Sequence, residues 1–104
     1  SVDVAETESE LIIVATMAGT PKEKVELHLH NDLLTIRGER KSPVSAGALE
    51  HYKECYFGKF SRSIVLPCDI LPEMAKAEYI NGLLVIRLPK TKTDQGIPLY
   101  VVEE

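Results

Sequence analysis

Three histidines and two cysteines carry most of the reactive chemistry available to this chain. His28 and His30 stand at i and i+2, which places them on one face of a strand, while His51 lies elsewhere. With Cys55 or Cys68 they could compose a zinc site, but the paired-ligand spacing of such sites is absent. Solvent-facing histidines are the expected reading. Neither cysteine has an adjacent histidine or other base that would make it a nucleophile. No glycine-rich phosphate loop is present, and Gly82 belongs to a hairpin signal instead. An enzyme would need a convergent acid, base or metal cluster. None is visible, so neither catalysis nor a cofactor is expected.

Composition narrows the class further. The chain has 104 residues and a formal net charge of −4, with 44% hydrophobic and 27% charged residues, which is globular rather than disordered. One domain is expected at this length. There is no Trp, and aromatic residues make up 6%, so the core must be aliphatic, built from Val, Ile and Leu. Nucleic acid needs a basic field, and the nearest approach to one is Arg37, Arg40 and Lys41 interrupted by Glu39. That cluster reads as a solvated strand end. No apolar run is long enough to span a bilayer, and Ser1-Val2-Asp3-Val4 is not a signal peptide. The start without Met suggests a trimmed fragment. Two cysteines make no disulfide framework, so a reducing cytoplasm is the expected compartment.

The elements are legible as alternation. Val25, Leu27 and Leu29 alternate with Glu26, His28 and His30, a half-buried strand. Asn31-Asp32 supplies turn residues, and Leu33 to Arg37 completes a hairpin over residues 25–37. Upstream, Leu11 to Thr16 is β-branched and stops at Gly19-Thr20-Pro21, while Val2 to Glu6 alternates as a short edge strand. Thr20 to Glu23 suggests one helical turn, with Thr20 capping and Pro21 at the first position. Residues 42–50 are small and turn-prone, a surface excursion. Phe60 to Leu66 makes a strand halted by Pro67, and Asp69 to Glu73 a connection. Ala75 to Tyr79, Asn81-Gly82 and Leu83 to Leu88 form a second hairpin, because Asn-Gly is the strongest short hairpin signal. Residues 89–96 are a polar linker leading into Ile97-Pro98-Leu99-Tyr100-Val101-Val102. Several short strands without a long helical period predict an all-β sandwich.

Four stretches resemble one family. Ala77, Asn81, Gly82 and Leu84 match the A-x-x-x-N-G-x-L hairpin signature of the α-crystallin domain. Gly58 to Pro67 resembles that family's G-x-F-x-R-x-x-x-L-P strand, and Asn31 to Arg40 resembles its first hairpin, ending in Gly-Glu-Arg. Ile97-Pro98-Leu99 is similar to the I-x-I/V anchor that follows the domain. In order and spacing the chain therefore resembles the small heat shock proteins, also called Hsp20, of bacterial or plant type.

The resemblance implies an immunoglobulin-like two-sheet β-sandwich over residues 1–90, with a strand-exchange dimerisation loop at 41–56 and a C-terminal extension at 91–104. It implies an ATP-independent holdase that forms a homodimer and higher oligomers and binds unfolding client proteins. His51, Tyr52, Lys53, Glu54 and Cys55 would form the exchanged strand, and Arg62 corresponds to the dimer-interface arginine. Ile97 and Leu99 would be the anchor, received between the strand of Val25, Leu27 and Leu29 and the strand of Ala75 and Ala77. Small alanines leave space there for an incoming apolar side chain. Alternatively, residues 97–102 are a final strand of the chain's own sheet, or pair along an exposed edge.

The departures are specific. The hydrophobic N-terminal arm usual in the family is absent, Met17-Ala18-Gly19 replaces Leu-Pro-Gly, and Leu99 replaces the second Ile or Val of the anchor. A p23- or CS-like co-chaperone module is the alternative of the same fold. Those modules lack the A-x-x-x-N-G-x-L signature and the terminal anchor.

Overall fold

The computed structural model describes residues 1–91. The anchor, Ile97 and Leu99, and most of the extension lie outside the described residues. Seven strands appear in chain order among those described: β1 (Val2–Glu6), β2 (Glu10–Thr16), β3 (Glu26–His30), β4 (Leu33–Arg40), β5 (Gly58–Val65), β6 (Lys76–Ile80) and β7 (Leu83–Pro89). Two single 3₁₀ turns, Lys22–Lys24 and Pro72–Met74, interrupt the connections.

Every strand pairing is antiparallel. One sheet has the order β1-β2-β7-β6 and the other the order β3-β4-β5. The two inner faces meet in an aliphatic core. Leu11, Ile13 and Ala15 come from β2, Leu34 and Ile36 from β4, and Leu84, Ile86 and Leu88 from β7, with Met17 and Leu66 at the ends. Alternation explains the choice, because residues two apart on a strand face the same way. Valine is the exception to the expected composition. Val14 and Val85 stand out of phase with the inward residues and are only half-buried, while Val2 and Val25 flank the core.

Two local expectations are corrected. Thr20 does not cap the turn after it: the 3₁₀ turn begins at Lys22 behind Pro21 without a side-chain cap, and the Thr20 hydroxyl is buried with no hydrogen-bond partner among the described residues. Of the basic cluster at the end of β4, Arg37 and Lys41 are exposed, but Arg40 is half-buried rather than solvated. Its Nη1 donates to the Ala18 carbonyl at 3.0 Å and its guanidinium lies 5.7 Å from the centroid of the Phe60 ring.

The end of β7 is clamped from two sides. Lys90 Nζ, whose side chain is 8% exposed, donates to Glu6 Oε2 at 2.6 Å and to the Thr7 carbonyl. Its backbone N–H donates to Ser9, and the Thr91 N–H donates to Asp69. The last described residues are therefore held between the β1–β2 turn and the connection before β6.

Candidate functional site

On one flank of the sandwich the edge strands β3 and β6 lie across from each other and leave an open groove. Leu27 and Leu29 form one wall, and Ala75, Lys76 and Ala77 form the other. Leu34, Ile86 and Leu88 make the floor, enclosing about 200 Å³. The floor residues are at most 3% exposed, whereas Leu27 is 36% exposed and both alanines face solvent. Val25 precedes β3, packs half-buried beside the core and is not one of the groove-lining residues. Lys76 does line it, which alternation alone places on the opposite face of β6; a long methylene stem allows this. β3 is consequently far more exposed than a half-buried strand, since only β4 pairs with it. Among the described residues nothing pairs with the outer edges of these two strands, which present backbone N–H and C=O groups beside apolar surface.

The hairpin beneath the groove is tied to a distant turn. Asn81 and Gly82 have φ of 52° and 79°, the left-handed pair that a two-residue type I′ turn requires. The Gly82 carbonyl accepts the Met17 N–H at 2.6 Å, and a Cβ at Gly82 would stand 3.4 Å from the Ala18 backbone. The Tyr79 hydroxyl reaches the Met17 and Thr20 carbonyls at 2.8 and 2.5 Å. Thus Ala77 of the four-residue signature lines the groove, Asn81 and Gly82 make the turn, and Leu84 enters the core. Replacing Tyr79 with Phe takes this donor from the Thr20 carbonyl and leaves the Met17 carbonyl with the Thr20 N–H at 2.9 Å, and is expected to cost about 1–2 kcal/mol. Thermal unfolding checks this, and an unchanged Tm would show that the hydroxyl holds nothing.

The opposite flank is built differently. Arg62 of β5 pairs in register with Ile36, so it lies on the inward-facing phase at an outer edge. It is exposed, and among the described residues no carboxylate lies within ion-pair distance of it. His51, Tyr52, Lys53, Glu54 and Cys55 are all exposed and form no strand in the single chain. A strand needs a neighbouring edge to pair with, and among the described residues no strand pairs with this loop. Leu49 at 82% and Tyr52 at 88% exposure make it the most solvent-exposed apolar segment described.

The histidines and cysteines do not converge. His28 lies 3.6 Å from Glu26, Cys55 is exposed and Cys68 half-buried. Among the described residues no group of three or more His, Cys, Asp and Glu side chains could hold a metal ion. No described helix is long and apolar enough to cross a membrane.

Comparison with known proteins agrees with this architecture. The Hsp20/alpha crystallin family model matches residues 3–98. A small heat shock protein of Rickettsia felis is 35% identical over 95 residues, covering 90% of this chain and 58% of that protein. A heat shock protein of Schizosaccharomyces pombe is 35% identical over 99 residues, covering 91% of this chain and 68% of its own length. The chain thus spans about three-fifths to two-thirds of these relatives. The solved structure of heat shock protein 16.0 from the same yeast superposes with a TM-score of 0.82 at 31% identity, over 99% of this chain and 96% of that one. A sandwich with these two sheets, carrying the hairpin signature in its groove wall and matched by the family model over nearly its whole length, belongs to the Hsp20/alpha crystallin family.

Proposed function

We propose that this chain is the self-associating core of an ATP-independent chaperone, which holds unfolding proteins and prevents their aggregation. The observation that carries this reading is the open groove between β3 and β6, with a buried aliphatic floor, a leucine wall facing two small alanines, and outer edges that no described residue pairs with. Exposed apolar surface beside a free strand edge suits extended apolar segments, which can offer side chains and backbone together. Ile97 and Leu99 of a neighbouring copy are the natural occupants in an assembly. Unfolding clients present the same chemistry when the assembly loosens.

Dimerisation is assigned to the loop at 41–56, through His51 to Cys55, and to Arg62. The extension at 91–104 links dimers into larger oligomers. The domain proper is residues 1–90. Two cysteines that make no disulfide framework suit a reducing cytoplasm. The test is the heat-induced aggregation of a client enzyme, followed by light scattering without nucleotide. Addition of the full-length protein at one subunit per client should suppress the scattering, with the client recovered in a soluble complex. Undiminished scattering would overturn the holdase reading.

A further inference from the structure

The outer faces of the two sheets differ in kind. On β3, β4 and β5 the outward positions read Glu26, His28, Thr35, Arg37, Ser61 and Ser63, with Leu33 and Val65 apolar at one end only. That is the alternation of an antiparallel sheet with one wet face. β2 and β7 do not alternate: Leu11 to Ala15 and Leu83 to Ile86 are unbroken apolar runs. Such runs belong to strands covered on both faces. Ile12, Val14, Leu83 and Val85 stand out of phase with the core residues and point outward, and Ile80 of β6 joins them beside Leu83. The described residues leave this face open, with Leu83 40% and Ile80 50% exposed.

The charges around the patch allow the face to cover itself. Two neighbouring rows cross the sheet: Ala5, Ile12, Arg87 and Lys76, then Asp3, Val14, Val85 and Glu78. Lys76 and Glu78 lie two apart on the edge strand β6, exposed and of opposite charge. Neither has an ion-pair partner among the described residues, whereas Arg87 already holds Glu10 at 2.9 Å. A half-turn about an axis across the strands, midway between the rows, lays each row over the other row of a second copy. Lys76 then meets Glu78 of the second copy, and does so twice, with Ile12, Val14 and Val85 between. A half-turn about an axis along the strands would instead set Glu78 against Asp3 of the second copy, which is repulsive.

We propose that the outer face of the β1-β2-β7-β6 sheet is a self-complementary contact between two copies of this chain, apolar at its centre and closed by two Lys76–Glu78 pairs. It uses neither the loop nor the anchor of the assembly proposed above, so it adds a third contact to them. Its size sets its strength. Four strands about 4.8 Å apart and about six residues long give a footprint of roughly 20 by 20 Å. That is about half of the roughly 800 Å² per partner of a stable interface. The contact is therefore weak singly and acts where other contacts already bring copies to high effective concentration.

The test is sedimentation equilibrium of the full chain carrying Ile97→Ser and Leu99→Ser, from micromolar to millimolar concentration. Its mass should rise reversibly above the dilute value. Adding Lys76→Glu alone, or Glu78→Lys alone, sets like charges opposite each other and should raise the dissociation constant about tenfold. The double exchange should return it to within about threefold. Val85→Lys should abolish the association, and Ser63→Lys on the outer face of the other sheet should leave it unchanged. All these positions point outward, and thermal unfolding of each variant verifies its fold. The inference is overturned if the mass stays at its dilute value throughout, or if the double exchange is no better than the worse single one. It is overturned equally if Ser63→Lys is as damaging as Val85→Lys. The client assay fails or succeeds independently, because this contact needs neither the groove nor the loop.

Discussion

Replacing Ile97 and Leu99 with serine is expected to reduce the assembly to dimers. Full burial of each side chain is worth about 1.5–3 kcal/mol, so one anchor contributes roughly 3–6 kcal/mol before ordering costs. That is weak singly, but in the proposed assembly every dimer would offer two anchors and two grooves, and linked contacts multiply through effective concentration. Removing all anchors at once therefore acts on the whole assembly. Filling the receptor should do the same with the anchors intact: Ala77→Leu places a larger side chain in a groove whose walls depend on small residues. Mass by light scattering reads both. Unchanged oligomer size in the serine variant would reject the anchor, and unchanged size in Ala77→Leu alone would move the anchor's seat elsewhere.

Gly38→Ala is expected to lower stability most among small substitutions. Gly38 lies buried in β4 directly opposite Phe60, whose ring covers it. An added Cβ would stand 2.5 Å from Phe60 Cζ and 3.0 and 3.1 Å from two further ring atoms. A ring that turns aside gives up its contact with the Arg40 guanidinium at 5.7 Å. Overpacking of this kind costs about 1–3 kcal/mol. For a domain of this size that is a fall in Tm of roughly 5–20 °C. Adding Phe60→Leu should return part of the loss by withdrawing the ring. A Gly38→Ala chain that melts with the original would show that the ring relocates freely.

Much of this was legible in the sequence because alternation and turn residues are local signals. Leu11, Ile13 and Ala15 declare their inward face by spacing alone, and Asn81-Gly82 declares its hairpin. The groove's walls were legible only through family resemblance, as the pairing of β3 with β4 and of β6 with β7 says nothing about which edges come to face each other. Contacts between distant strands were not legible. The cover of Phe60 over Gly38 depends on the β4–β5 register, and the Tyr79 hydroxyl bonds to a turn about 60 residues away in sequence. Arg40 looked like part of a solvated cluster because its partners, Ala18 and Phe60, lie on other elements. Thr20 had the composition of a cap, yet the chain turns one residue later and buries its hydroxyl. Residues 51–55 read as a strand by resemblance, but among the described residues they pair with none of the open strand edges.

The account turns on the groove between β3 and β6 as a seat for extended apolar segments. Methyl-resolved NMR tests it most directly, on the chain carrying Ile97→Ser and Leu99→Ser, with an unlabelled peptide of residues 95–102 added stepwise. The account predicts saturable shifts at Leu27, Leu29, Ala75 and Ala77, with the loop residues Val44 and Leu49 unmoved. Silence at the groove, or shifts confined to Ile12, Leu83 and Val85 on the outer face of the β1-β2-β7-β6 sheet, would contradict it.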